Sequence, residues 1–272
     1  METLKEAVST DPFAQFKAAQ REGWALFAPL EALTIPAAAK LVTFAGVRPG
    51  DTVLDVGCGT GVVAVTAACR GAKVTGLDLT PALLERAKYN AAQAGVSIEF
   101  LEGDVENLPF AAGSFDVVLS QFGHMFGPRP EVTVVQMLKV LKPGGRLAFS
   151  TWPPEVYTGR MFKLVSEYLP GPAGAAPPYQ WGEPTTILER LGNAVSDVTF
   201  DRERIMLPGL SPKQIAIRFE ESAAPVIKVV QTLKNDAARL GAFRAALEKL
   251  VSHYFIDNQV RQDYLMTRAL KK

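Results

Sequence analysis

The stretch Val53-Leu54-Asp55-Val56-Gly57-Cys58-Gly59-Thr60-Gly61 constrains this chain more than any other. Its apolar, partly β-branched start reads as a buried strand. Three glycines at alternate positions then let the backbone turn sharply and approach a ligand without side-chain collision. Val62, Val63, Ala64, Val65 and Ala67 follow as a helix that stops at Gly71. Strand, glycine turn and helix in this order hold a nucleotide-like ligand at the switch point of a parallel sheet. A dinucleotide fingerprint would need its third glycine where Val62 stands, which weakens a pyrophosphate reading. Asp55, two residues before the first glycine, is placed to accept hydrogen bonds from a cationic amino group or from ordered water.

The chain of 272 residues is long enough for one large α/β domain with additions, or for a core of about 150 residues plus a cap. Its 29 Lys and Arg nearly balance its 28 Asp and Glu, so charge makes no case for DNA or RNA as partner, and a small or neutral substrate fits better. Cys58 and Cys69 are expected to be free thiols, and no Cys or His pair has the spacing of a metal site. The sequence contains no run of about 18 apolar residues, and Met1 to Glu6 lack the basic-then-apolar order of a signal peptide. The expectation is a soluble cytoplasmic protein with no membrane span.

Along the chain, Asp11-Pro12 reads as a helix start, and Phe13, Phe16, Trp24 and Phe27 crowd the segment behind it. These aromatics either pack a small helical unit on the sheet or close over a ligand as a lid that excludes water. Thr34-Ile35-Pro36 reads as the start of a second helix running to Phe44. Lys73 to Asp78 forms a second strand ending in a carboxylate, where nucleotide-binding sheets hold ribose hydroxyls; the alternative for Asp78 is a charge at a helix N-terminus. Ile98 to Asp104 alternates as a third strand, again closed by an acid. Asp104 is suited to accept a hydrogen bond from an adenine amino group, with the Val105 amide facing a ring nitrogen. Phe115 to Ser120 gives a fourth strand, Pro130 to Val140 a helix, and Arg146 to Thr151 a fifth strand.

Six motifs therefore stand in order: Asp-Val-Gly-Cys-Gly-Thr-Gly (55 to 61), Gly-Leu-Asp (76 to 78), Glu-Gly-Asp (102 to 104), Leu-Pro-Phe (108 to 110), Ser-Phe-Asp-Val-Val (114 to 118) and Leu-Lys-Pro-Gly-Gly (141 to 145). Together they resemble class I S-adenosylmethionine (SAM)-dependent methyltransferases, in particular the group that includes quinone-biosynthesis C-methyltransferases and many small-molecule enzymes. The resemblance implies an α/β, Rossmann-like doubly wound sheet of seven strands, mostly parallel with the last antiparallel. It implies SAM as cofactor and S-adenosylhomocysteine as product. Asp55, Gly57, Cys58, Gly59 and Gly61 are then expected around the methionine part, Asp78 with Leu79 at the ribose, and Asp104 with Val105 at the adenine. Gln121 is a further candidate for the amino-acid end.

Four regions follow: an N-terminal helical lid (1–46), the cofactor-binding core (47–151), a cap segment (152–194), and the last two strands (195–272), with a helical insertion at about 211–253. The strands are expected at Val195 to Ile205 and Asp263 to Ala269. The cap, with Trp152 and Trp181, either covers the site or is a surface excursion. Trp24, Phe27 and His124 complete the expected substrate side. Methyl transfer is an in-line displacement in which positioning is the main catalytic term. His124, after the fourth strand, is a candidate base for a hydroxyl, thiol or acidic carbon, with an orienting hydrogen bond or plain loop packing as alternatives. His253 is expected to pack within the insertion. The loop after the fourth strand lacks Asn/Asp-Pro-Pro-Tyr, the sequence that holds planar nitrogen nucleophiles. Transfer to RNA or protein, a non-catalytic SAM-binding role and a nicotinamide oxidoreductase are the competing readings.

Overall fold

The computed structural model describes residues 11–272. The first ten residues, including the N-terminal stretch read for leader character and the start of the expected lid, lie outside the described part. Strands β1 (Thr52–Val56), β2 (Lys73–Asp78), β3 (Glu99–Glu102), β4 (Phe115–Gln121) and β5 (Leu141–Thr151) pair in parallel. The full order is β3-β2-β1-β4-β5-β8-β6, with β8 (Gln259–Lys271) antiparallel to both β5 and β6 (Val195–Pro208). A two-residue β7 (Phe255–Ile256) pairs only with β8, so the seven expected strands form the main path and this short strand is an addition. Val53, Leu54, Val56, Val117, Val118 and Leu119 are almost wholly buried, as a sheet covered on both faces requires. From β1 the chain winds outward to β2 and β3, then crosses to the other side of β1 for β4. This reversal opens a crevice at the carboxyl ends of β1 and β4.

Helices α3 (Val62–Cys69), α4 (Pro81–Gln93) and α5 (Pro130–Val140) connect these strands. The segment 152–194 holds α6 (Tyr157–Tyr168) and α7 (Pro184–Leu191), and between β6 and β7 lie three helices: α8 (Pro212–Ser222), α9 (Ala224–Leu233) and α10 (Ala237–Tyr254). No single helix among the described residues is long and apolar enough to cross a membrane.

Several boundaries differ from the sequence reading. Helix α1 (Ala14–Trp24) starts after Phe13, not at Asp11-Pro12: the Asp11 carboxylate accepts the Phe13 N–H at 3.0 Å in a tight turn before the helix begins. Helix α2 (Glu31–Phe44) starts upstream of Thr34 and carries Pro36 as its sixth residue, where the missing N–H removes one bond of the ladder. Strand β3 stops at Glu102 because Asp104 turns aside into an isolated bridge with Asn107. Strands β6 and β8 extend beyond the expected bounds because their mutual pairing runs from Val195↔Lys271 to Pro208↔Gln259.

Helix α1 is fastened to the core by buried charge. The Lys17 ammonium donates at 2.6 Å to each of three carboxylates, those of Asp11, Asp104 and Glu106. Arg129 donates to Glu106 at 2.8 Å and lies 3.3 Å from Asp11. Burial alone would lower the Lys17 pKa, but its bonds to Asp104, Asp11 and Glu106 outweigh this and hold it above the ordinary lysine value. Burial would likewise raise Asp11 and Glu106; Lys17 and Arg129 outweigh it and hold both below the ordinary range.

Lys17→Met leaves these carboxylates without their shared cation and is expected to cost about 3 kcal/mol of stability, measured by urea unfolding. Depressed carboxyl pKa values contribute stability above about pH 4 that is lost as pH falls through that range, and a raised lysine contributes until about pH 10. The difference between wild type and variant should therefore be flat across neutral pH and shrink in acid. Equal unfolding midpoints at pH 7 would contradict the fastening role.

Candidate active site

A cavity of about 240 Å³ opens at the carboxyl ends of β1 to β4. Its lining includes Asp55, Gly57, Cys58, Gly59, Asp78, Leu79, Asp104, Val105 and Gln121, which brings nine of the ten cofactor candidates together. The tenth, Gly61, does not border it. A Cβ on Gly61 would lie 2.9 Å from the Ala87 Cβ and 3.2 Å from the Phe100 ring, so this glycine lets α4 pack on the turn.

The turn is shaped by close backbone contact. A Cβ on Gly57 would come within 2.8 Å of the Gly123 Cα, and one on Gly123 within 2.5 Å of the Gly57 carbonyl oxygen. Only two glycines let the loops after β1 and β4 meet this way. Gly59 is different: it has a φ of 54°, it lines the cavity, and a Cβ there would meet no protein atom within 4 Å. The space beside it is left open for a ligand.

Asp78 stabilises this turn from the next strand. One carboxylate oxygen accepts the Gly59 N–H at 2.7 Å and the other the Thr80 N–H at 2.8 Å. Thr80 makes no side-chain cap to α4, and Asp78, which lines the cavity, holds the entrance of that helix through the Thr80 amide. Burial raises the Asp78 pKa despite these amides. Asp55 is 1% exposed; one of its oxygens accepts the Ala64 N–H at 3.0 Å and the other has no partner. Burial pushes its carboxyl up to about 8, opposed by the Ala64 amide and reinforced by the negative Asp78. A buried carboxylate oxygen without a partner is costly unless a cationic or donor group arrives to use it. Burial, Asp78 and Asp55 hold the Cys58 thiol well above its ordinary range, so it is no nucleophile.

Asp104 borders the cavity, but its oxygens already accept Lys17 at 2.6 Å and the Glu106 N–H at 2.8 Å. Gln121 donates to the Thr34 carbonyl at 2.9 Å and leaves its own side-chain oxygen buried without a partner. Trp24 and Phe27 line the cavity from α1 and the turn after it, and Trp152 from the end of β5.

His124 and Trp181 are not where the sequence reading put them. Neither borders the cavity. His124 is fully buried, 4.6 Å from the rings of both Phe149 and Trp181, with no partner on either ring nitrogen. Burial, with the positive Arg190 nearby, holds its pKa down to about 3, and nothing connects the ring to a substrate. The cause lies two residues upstream. Phe122 takes a φ of 60°, which is strained for a bulky side chain, and lays its ring on Trp152 at 4.0 Å and 12°. Phe122 thus faces the cavity and His124 turns beneath it. Trp181 is 1% exposed and fills the core behind this loop.

Four functional candidates escaped the sequence reading: Lys17, Tyr157, Thr158 and Gln262 all line the cavity. Lys17 is one of two basic residues on α1, with no motif around it. Tyr157 and Thr158 start α6 just beyond the recognisable core, and Gln262 precedes the expected start of the last strand.

A methyltransferase-domain profile matches residues 53–145. An uncharacterized protein of Mycobacterium tuberculosis, Rv1403c, is 34% identical over 256 residues, which span 92% of this chain and 93% of the relative. The ubiquinone biosynthesis O-methyltransferase of Escherichia coli is 35% identical over 168 residues, 60% of this chain and 69% of that enzyme. Among solved structures, the YcgJ protein of Bacillus subtilis shares the fold with a TM-score of 0.58 at 18% identity, covering 87% of this chain and 98% of that one. The glycine turn, the acids at the ends of β1, β2 and β3, and these likenesses converge: the chain belongs to the class I SAM-dependent methyltransferases, with S-adenosylmethionine as its cofactor.

Proposed function

We infer that this methyltransferase acts on a small, largely apolar metabolite, at an O, C, N or S atom. The observation that supports this reading is the division of the cavity. Its charged groups, Lys17, Asp55, Asp78 and Asp104, belong to α1 or to the ends of β1, β2 and β3, whereas Trp24, Phe27, Phe122, Phe126 and Trp152 supply aromatic wall. Such a wall suits a flat or isoprenoid-like acceptor and offers a polyanion no cation beyond Lys17, which three carboxylates already surround. The name of the ubiquinone enzyme, whose sequence this chain resembles, agrees with a small-molecule acceptor.

When bound, S-adenosylmethionine supplies a sulfonium methyl group: its carbon would bond to an electron pair of the acceptor atom, the electron pair of the broken C–S bond would stay on sulfur, and any proton on the acceptor atom would pass to solvent. In this reading the free oxygen of Asp55 holds the amino group, Asp78 accepts hydrogen bonds from the ribose, and Val105 with Asp104 borders the adenine. The Phe122–Trp152 stack and the aromatics of the α1 end exclude water and orient the acceptor. Orientation of this kind is worth up to about 7 to 11 kcal/mol. His124 has no part in proton transfer, because its ring is sealed from the cavity.

Asp55, raised to about 8, is largely protonated in the free protein at neutral pH, and an ammonium partner favours the ionised form. The Asp55 contribution to the stability of the free protein accordingly falls as pH rises from about 4 through 8. Binding S-adenosylmethionine at pH 7 is expected to release about one proton, and its affinity to rise from pH 6 to pH 8. Calorimetry in buffers of different ionisation enthalpy measures this. Binding without proton release would contradict the pairing of Asp55 with the amino group.

Two substitutions test the cradle. Asp78→Ala is expected to weaken S-adenosylhomocysteine binding by at least about tenfold, the scale of a lost charge-assisted hydrogen bond. Gly59→Ala carries a left-handed strain of about 1–2 kcal/mol, so its melting temperature falls only modestly while its new methyl occupies ligand space and affinity drops more steeply. Unchanged affinity in both variants would remove the cofactor assignment.

A further inference from the structure

One wall of the cavity combines an uncharged surface with hydrogen-bonding groups that the protein itself does not use. Tyr157, at the start of α6, lines the cavity and is fully buried, yet its hydroxyl has no hydrogen-bond partner. Its neighbours are rings: Tyr254 at 5.6 Å and Phe219 at 6.0 Å between centroids. Beside it, Thr158 donates to the Gln262 side-chain oxygen at 3.3 Å across the gap between α6 and β8. Thr158 and Gln262 are 6% and 8% exposed, and both line the same cavity. That bond leaves the two amide hydrogens of Gln262 without an acceptor among the described residues. Around these groups the wall is apolar: Met161, Phe162, Ile205 and Phe219. No Lys, Arg, Asp or Glu from α6, β6, α8 or β8 lines it.

A buried hydroxyl left unsatisfied, as at Tyr157, costs free energy in the free protein, and a ligand that completes it recovers that cost, while the Gln262 amide hydrogens offer donors on the same wall. A site with hydrogen-bonding groups also rejects analogues lacking the matching oxygen more sharply than an apolar pocket can reject an added group. A charged ligand would lose its hydration here with no counter-charge to replace it. We propose that Tyr157 and Gln262 form the acceptor-recognition site, and that they hold the single hydroxyl or carbonyl oxygen of an otherwise apolar, uncharged molecule. The proposal rests on the small-molecule reading above and narrows it to neutral oxygenated acceptors, oriented from the wall formed by α6 and β8.

The test uses the full-length protein saturated with S-adenosylhomocysteine, so that probes cannot enter the cofactor half. Three probes of similar size are titrated at pH 7: 2-naphthol, 2-methylnaphthalene and 2-naphthoate. Quenching of Trp24 and Trp152, which line the cavity, reports binding. Wild type should bind 2-naphthol at least tenfold more tightly than 2-methylnaphthalene, and 2-naphthoate most weakly. Tyr157→Phe and Gln262→Leu should each reduce the naphthol preference, and the double variant should abolish it with S-adenosylhomocysteine affinity unchanged. Because the Tyr157 hydroxyl has no partner in the free protein, Tyr157→Phe should melt no lower than wild type. Equal binding of naphthol and methylnaphthalene by wild type, a preference that survives the double variant, or tightest binding of naphthoate would overturn the proposal. Failure to bind S-adenosylhomocysteine at all would instead count against the cofactor site itself.

Discussion

The contact between Gly57 and Gly123 is the constraint on which the rest of the site depends. Two backbone segments leaving adjacent parallel strands approach so closely that a Cβ on either would overlap the other. The contact fixes how far the carboxyl ends of β1 and β4 stand apart, and with it the shape of the crevice between them. It also sets the direction in which each loop departs. The β1 loop bends toward β2, where Asp78 takes the Gly59 amide, and the β4 loop bends through a left-handed Phe122 toward Trp152. One half of the cavity inherits buried carboxylates and the other inherits stacked rings.

The carboxylates are held in an energetically uncomfortable state, which fits their use. Asp55 and Asp78 both sit in low-dielectric surroundings that raise their pKa values, and one Asp55 oxygen has no partner. A structural role alone would favour full pairing, as at Asp116, where the bonds from Lys142 and Thr52 hold the carboxyl well below its usual range. The contrast between a satisfied surface acid and an unsatisfied buried one supports the proposed use of Asp55 as a ligand partner. Lys17 adds a link between halves. By binding Asp104 as well as Asp11 and Glu106, it ties the helix that leads to Trp24 to the edge of the cavity where adenine is expected.

The cofactor half of this site was legible in the sequence because it is written in backbone chemistry. Glycines at alternate positions and acids at strand ends stand at fixed points of a parallel sheet, so spacing, with the family resemblance that it carries, brought Asp55, Gly57, Gly59, Asp78 and Asp104 to one cavity. The acceptor half is written in side-chain direction, which spacing does not encode. His124 stood at the right place in the chain, but the φ of 60° at Phe122 turned its ring into the core. Trp181 looked like a lid residue and instead fills the space behind His124, while Tyr157 and Gln262, from elements far apart in sequence, meet the cavity through tertiary packing. The charge on Lys17 was visible; its three partners, up to 89 positions away, were not.

In the proposed function the carboxyl ends of β1, β2 and β3 cradle S-adenosylmethionine, and the unpartnered oxygen of Asp55 receives its amino group. A crystal structure of the protein grown with S-adenosylhomocysteine tests it most directly. The product is expected in the crevice, its amino group on the free oxygen of Asp55, its ribose on Asp78 and its chain passing over Gly59. The same crevice closed by protein side chains, or the product bound with Asp55 still unpartnered, would contradict it.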